Sequence, residues 1–291
     1  MGPCLPEPEP RVIDRLIEER AGGLFEGRLG PPFRRVMYAL LGYDEAVRLA
    51  GQVGRLSGWG VLAKCSEHLS LAVEVEGAEH LPRTGGFVLV ANHPTGIADG
   101  IALFDLLKDR RRDAVFFGNR DALRIAPRLA EILIPVDWVK SRRNLTKSRD
   151  TFQAMARACR DGRAVVILPS GRLAHMTLRG LKERPWMPTA VSVARKYGLP
   201  IVPVHIKARN SLLYYLFAFT SDELRDVTIF HELLNKRGRR IRLRVGAPID
   251  PATLADDPAR ATEWLQAYVE SGLREPLPVP VPAEPALPAA A

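Results

Sequence analysis

The sequence has no apolar run near the roughly 18 uncharged residues that cross a bilayer as a helix. Its most apolar aromatic stretch, Leu212 to Phe219, is eight residues long, so any membrane contact is expected at the surface. Cysteine is scarce: Cys4, Cys65 and Cys159 lack metal-ligand spacing, and an odd count of three argues against a disulfide framework. A reducing, cytoplasmic compartment is the expectation. No Gly-x-Ser-x-Gly elbow occurs, so a covalent serine route has no support. Met1 to Pro10 carries Pro and Glu in place of a charged segment and apolar core, which argues against a secretory signal. Pro6 stands where a myristoylation motif wants Ser or Thr.

Positive charge is what the chain has in excess. A net +9 suits nucleic acid, an anionic membrane surface or a phosphorylated substrate. Aromatics are not interleaved with the basic runs as in a base-stacking module, which argues against nucleic acid. Lys108 to Arg149 holds twelve Lys or Arg against five Asp or Glu, seven of the nine excess charges.

Five consecutive apolar residues, Phe87 to Ala91, stop abruptly at Asn92-His93-Pro94-Thr95-Gly96-Ile97-Ala98-Asp99. Bounded by Gly86 and Asn92, they predict a central parallel strand, and Ile101, Phe104 and Leu107 predict a helix packed on it. Ligands bind beyond the carboxyl ends of such strands, which is where His93 and Asp99 fall. Alone, His93 could be a structural histidine and Asp99 a helix N-cap.

Further strands are predicted at 73–77 as a half-exposed edge beside the motif strand, and at 115–120, 132–138, 164–168, 199–204 and 245–249. Helices are predicted at 11–21, within 31–71, and at 146–161, 189–197, 212–219 and 261–273, with 180–188 a loop. Phe33, Val36, Met37, Leu40 and Leu41 make one apolar face among arginines, read either as core-facing or as membrane contact. The eight residues from Leu212 suit a core helix, an acyl groove or a lipid-docking segment equally. The fold class is α/β, a mostly parallel central sheet flanked by helices. The chain divides into a tail and amphipathic helices at 1–70, a catalytic domain at 71–274 and a Pro/Ala-rich tail at 275–291.

The Asn92-His93 cluster with its following Asp99 resembles the first motif of the PlsC-like glycerolipid and lysophospholipid acyltransferases. That family places four residues between His and Asp, whereas Pro94 to Ala98 makes five here, with Gly96 free to absorb the extra one. Leu168-Pro169-Ser170-Gly171-Arg172 resembles the third motif, with Ser170 where the family has Glu. Leu199 to Val204 resembles the fourth, an apolar strand around Val-Pro. The resemblance covers about 71–248 and implies acyl transfer from acyl-CoA or acyl carrier protein, as co-substrate without a cofactor or metal, to a hydroxyl of a lysolipid or glycerolipid. It implies His93 as general base and Asp99 as its partner. It implies Asn92, Arg120, Arg142, Arg143, Ser170, Gly171 and Arg172 as substrate contacts, the second-motif position falling on Arg142 or Arg143. A peripheral place on the inner face of the plasma membrane follows. A catalytically inactive scaffold of the same fold, or a basic nucleic-acid-binding protein, are the other readings.

Overall fold

The computed structural model describes residues 11–26, 30–137, 145–177 and 180–273. Its strands are β1 (Ala72–Glu76), β2 (Phe87–Ala91), β3 (Val115–Asn119), β4 (Leu133–Val136), β5 (Ala164–Ile167), β6 (His175–Thr177), β7 (Gly180–Lys182), β8 (Ile201–Lys207) and β9 (Arg240–Val245). Seven of them form one sheet in the order β1-β9-β8-β2-β5-β3-β4, and β6 pairs with β7 as a separate antiparallel hairpin. From β8 through β4 the strands are parallel; β9 runs antiparallel to β8, and β1 parallel to β9. The protein is therefore α/β with a mostly parallel sheet.

The helices are α1 (Val12–Ala21), α2 (Gly30–Leu40), α3 (Tyr43–Val53), α4 (Gly58–Leu69), α5 (Ile97–Leu107), α6 (Ala122–Ile125) and α7 (Leu145–Arg160), followed by α8 (Thr189–Tyr197), α9 (Leu212–Thr220), α10 (Asp222–Val227), α11 (Ile229–Leu234) and α12 (Pro258–Glu270). Every residue of β2 is buried, as a parallel strand covered on both faces must be. Its alternating side chains serve two cores. Phe87, Leu89 and Ala91 meet Leu103, Phe104 and Leu107 of α5, and Trp59 of α4 packs edge-on against Phe104 at 4.8 Å between ring centroids. Val88 and Val90 meet Val191 and Ala194 of α8, Met155 of α7 and Leu265 of α12. Each fully buried aliphatic or aromatic side chain of this kind contributes roughly 1.5–3 kcal/mol, so the motif strand is anchored where the fold is most densely packed.

Several expectations are corrected. The 73–77 strand is an edge, but its partner is β9, and the neighbours of β2 are β5 and β8. The last strand is Arg240–Val245, where Ile241, Leu243 and Val245 point inward and Arg240, Arg242 and Arg244 pair with Glu74 and Glu76 of β1. Six basic residues in nine concealed that period-two pattern. Residues 180–182 are strand, α10 and α11 were not foreseen, and the final helix starts at Pro258, capped by the Asp257 side chain on Ala259 N–H. Pro203 sits inside β8 without losing a ladder bond: the pairing with β9 covers Val204 to Lys207, and the Pro203 carbonyl accepts Gly246 N–H where that pairing stops. The apolar stripe of α2 is split, with Met37 and Leu41 buried and Phe33, Val36 and Leu40 exposed.

Candidate active site

At the carboxyl end of β2 the chain fixes each side chain in turn. Asn92 is buried, and its amide clasps the neighbouring strand, donating to the Ile206 carbonyl at 2.9 Å and accepting Ile206 N–H at 2.7 Å. Expected as a substrate contact, it is instead fully occupied in tying β2 to β8. The turn that follows needs Gly96 at φ +92°, and a Cβ there would come within 3.3 Å of Leu173. This glycine absorbs the fifth spacer residue. Helix α5 then starts at Ile97 and places Asp99 in its first turn, fully buried.

Asp99 is surrounded by donors. Its Oδ2 accepts Thr95 N–H at 2.8 Å and Gly96 N–H at 2.9 Å, and its Oδ1 accepts the Thr95 hydroxyl. The positive end of the α5 dipole adds to them. The His93 Nδ1 lies 2.9 Å from Oδ2. A carboxylate can only accept, so the ring proton sits on Nδ1 and Nε2 is left as the basic nitrogen. The imidazole is largely buried but borders a cavity of about 550 Å³, in the range of small-molecule sites. Gly96, Ile101, Phe116, Leu133 and Met155 also line it, and α1, α3 and α11 close over it. A basic nitrogen, an oriented proton and an apolar, water-poor chamber together suit proton abstraction from a hydroxyl held at its mouth.

A second carboxylate supports the histidine from behind. Glu183, just after β7, is buried and accepts His93 N–H at 2.9 Å and the Trp186 indole N–H at 3.3 Å. Burial raises its pKa, against the hydrogen bond from His93 N–H and the nearby imidazole. A carboxyl raised in the folded state stabilises the fold most below the ordinary carboxylate range, and that contribution declines as pH rises through the folded value. Glu183→Ala is expected to leave two interior donors unpaired at about 1–3 kcal/mol each. A urea titration reads the loss, and an unchanged midpoint would contradict it. Sequence reasoning missed Glu183 because Lys182 and Arg184 flank it like a solvated run, and Trp186, which it holds, is buried.

The other expected residues are dispersed. The Gly171 N–H donates to the Leu168 carbonyl at 3.0 Å, and the Ser170 hydroxyl donates to the Arg172 carbonyl at 2.8 Å, so these two expected substrate contacts are engaged within the turn itself. Gly171 still lines the cavity, whereas Arg172 is exposed outside it. Arg120 is paired with Asp137 at 2.9 Å. Arg142 and Arg143 lie outside the described residues. Within the basic run of 108–149, Arg111 is buried on Asp113, Arg124 pairs with Glu19 and Arg128 with Glu131.

Fold and site together define an α/β enzyme that presents a His–Asp pair at the end of its central strand, over an apolar chamber. A family model described as Acyltransferase matches residues 72–207, spanning β1 to β8, so the chain carries an acyltransferase domain. The chain is 27% identical over 215 residues to a lyso-glycine lipid O-acyltransferase of Phocaeicola vulgatus, covering 72% of this chain and 75% of that protein. A lyso-glycine lipid O-acyltransferase of Bacteroides thetaiotaomicron is 26% identical over 221 residues, covering 73% and 79%. The crystal structure of the 1-acyl-sn-glycerophosphate acyltransferase PlsC from Thermotoga maritima superposes with a TM-score of 0.49 at 19% identity, covering 88% of this chain and 96% of that one.

Proposed function

We propose that the protein moves a fatty acyl group from a thioester donor to the hydroxyl of a lysolipid, with a lyso-glycine lipid as the first acceptor to try. The acceptor class comes from the names of the two relatives above. The observation that carries the mechanism is the 2.9 Å contact of His93 Nδ1 with Asp99 beside the apolar cavity. His93 Nε2 takes the acceptor hydroxyl proton, and the oxygen adds to the thioester carbonyl. The resulting tetrahedral intermediate collapses by breaking the C–S bond, and the imidazolium returns its proton to the departing thiolate. Asp99 holds the ring and stabilises the charge it carries between those steps. The cavity takes the acyl chain, whose apolar surface it removes from water. A turn with Ser170 in place of an acid, its donors already used, fits an acceptor other than a glycerol phosphate.

The test is acceptor-dependent thiol release from long-chain acyl-CoA and from acyl carrier protein, across glycine, amino-acid and glycerophosphate lysolipids. Transfer confined to an amino-acid lysolipid supports the reading. No transfer from either donor to any acceptor overturns it, and membrane binding without turnover would leave the scaffold in its place.

Among the described residues no helix is long and apolar enough to cross a membrane. Helices α2 and α9 are neighbours, with Met37 and Leu41 in one cluster with Leu213 and Phe217. Their outer faces expose Val36 and Leu40 on α2, and Leu212, Leu216 and Phe219, the last 92% accessible, on α9. With Arg34 and Arg35 of α2 also exposed, they fit an anionic bilayer surface at the inner plasma membrane. Replacing Leu216 and Phe219 by Glu should lower co-sedimentation with anionic vesicles at least tenfold, given roughly 1.5–3 kcal/mol per large apolar side chain. Equal sedimentation would exclude that face.

A further inference from the structure

A second concavity, of about 610 Å³, runs along the outer side of α7 and α8. Arg149, Phe152, Arg157 and Arg160 of α7 line it, with Lys196 and Tyr197 of α8. Four of its lining residues, Arg149, Arg157, Arg160 and Lys196, are cationic. Arg120, Arg124, Arg128 and Arg225 each have an acidic partner within 3 Å, yet among the described residues none of the four cations in this groove has an ion pair. Arg157 and Arg160 stand one helical turn apart, where like charges repel. The groove also holds aromatic surface: Phe152 is 58% exposed, and Lys196 Nζ lies 5.7 Å from the centre of the Tyr197 ring.

The groove is joined to the site already described. Phe152 and Met155 line both this concavity and the cavity that holds His93. A thioester whose acyl chain fills that cavity can therefore lead its carrier out past Phe152 and along α7.

We propose that this groove binds the phosphorylated nucleotide half of a coenzyme A thioester, so that acyl-CoA is the donor. This rests on the acyl-transfer reading above. Guanidinium groups match phosphate oxygens in planar, bidentate pairs, and exposed rings offer stacking surface to a purine. A volume of about 610 Å³ lies within the range of small-molecule sites. An acidic helix of a carrier protein would find charge here, but it would leave the concave shape and the rings unused.

The experiment uses the full chain and the probe adenosine 3′,5′-bisphosphate, followed by titration calorimetry, beside kcat/KM for palmitoyl-CoA, palmitoyl-pantetheine and palmitoyl acyl carrier protein. The bisphosphate is expected to bind and to compete with palmitoyl-CoA. The wild-type preference for palmitoyl-CoA over palmitoyl-pantetheine should fall about tenfold or more when two charge-assisted contacts are lost in Arg157→Glu/Arg160→Glu. Phe152→Ala, which keeps every charge, should weaken bisphosphate binding as well. Failure of the bisphosphate to bind, an undiminished preference in the double variant, or use of the carrier protein thioester alone would each overturn the proposal. If no thioester is turned over, the acyl-transfer reading falls, while the calorimetry still decides whether the groove takes a nucleotide.

Discussion

Replacing His93 with alanine should lower kcat/KM by roughly 10²–10⁴-fold, the contribution of a positioned general base. Stability should change little, because the local fold does not hang on the ring. Asp99 retains Thr95 N–H, Gly96 N–H and the Thr95 hydroxyl when the imidazole is gone. The His93 backbone likewise keeps both of its bonds, N–H to Glu183 and carbonyl from Ala174 N–H. The loss should fall on kcat, with acceptor KM nearly unchanged, since the ring acts on the hydroxyl proton and not on the lipid's apolar body. Asp99→Asn is a less clean experiment. An amide brings two hydrogens among groups that are themselves donors, so it unsettles the start of α5 as well as the ring. Acceptor-dependent thiol release from His93→Ala within threefold of wild type would rule out His93 as the base, and an acidic or cysteine residue elsewhere in the cavity would then have to be sought.

The His–Asp pair could be read from the sequence because apolar run, polar cluster and glycine lie within one local stretch, and the α/β rules say where such a stretch points. The separation of five residues could be judged only in three dimensions, where a glycine at φ +92° turns the helix so that the carboxylate meets the ring. Residues whose roles depend on distant partners were not legible. Asn92 looked like a ligand because nothing local reveals Ile206, 114 positions away. Glu183 is brought to His93 by a hairpin too short to give a periodic signal. Arginine-rich β9 went unread as a strand because the acids that meet its charges come from β1, more than 160 positions away. In the run 108–149, likewise, Arg120 and Arg124 meet Asp137 and Glu19, acids that only the fold brings near.

Glu232→Ala should be the most destabilising single change, by about 3–5 kcal/mol, since it strands a buried lysine. Lys236 Nζ lies 2.9 Å from Glu232 Oε2 and 2.8 Å from Asn235 Oδ1, and both side chains of the ion pair are almost wholly out of water. The same carboxylate accepts Ser211 N–H at 2.9 Å, the Ser211 hydroxyl at 2.5 Å and the Asn235 amide at 3.1 Å. It thereby fastens α11, which covers the cavity, to the first turn of α9, which carries the exposed apolar face. Burial pushes the Glu232 carboxyl up, but the hydrogen bonds from Ser211 and Lys236 outweigh it and leave the pKa below its ordinary value. A carboxyl lowered on folding contributes stability above the unfolded pKa and loses it as pH falls through the folded one, opposite in sign to Glu183. Urea midpoints of wild type should therefore drop on acidification by more than those of Glu232→Ala/Lys236→Met, a variant with neither charge. That double variant should also recover much of what Glu232→Ala loses, because an apolar pair needs no partner in the interior. A single variant as stable as wild type would mean that Lys236 finds water or another acceptor, and α9 would then be free to move on the face proposed to meet the membrane.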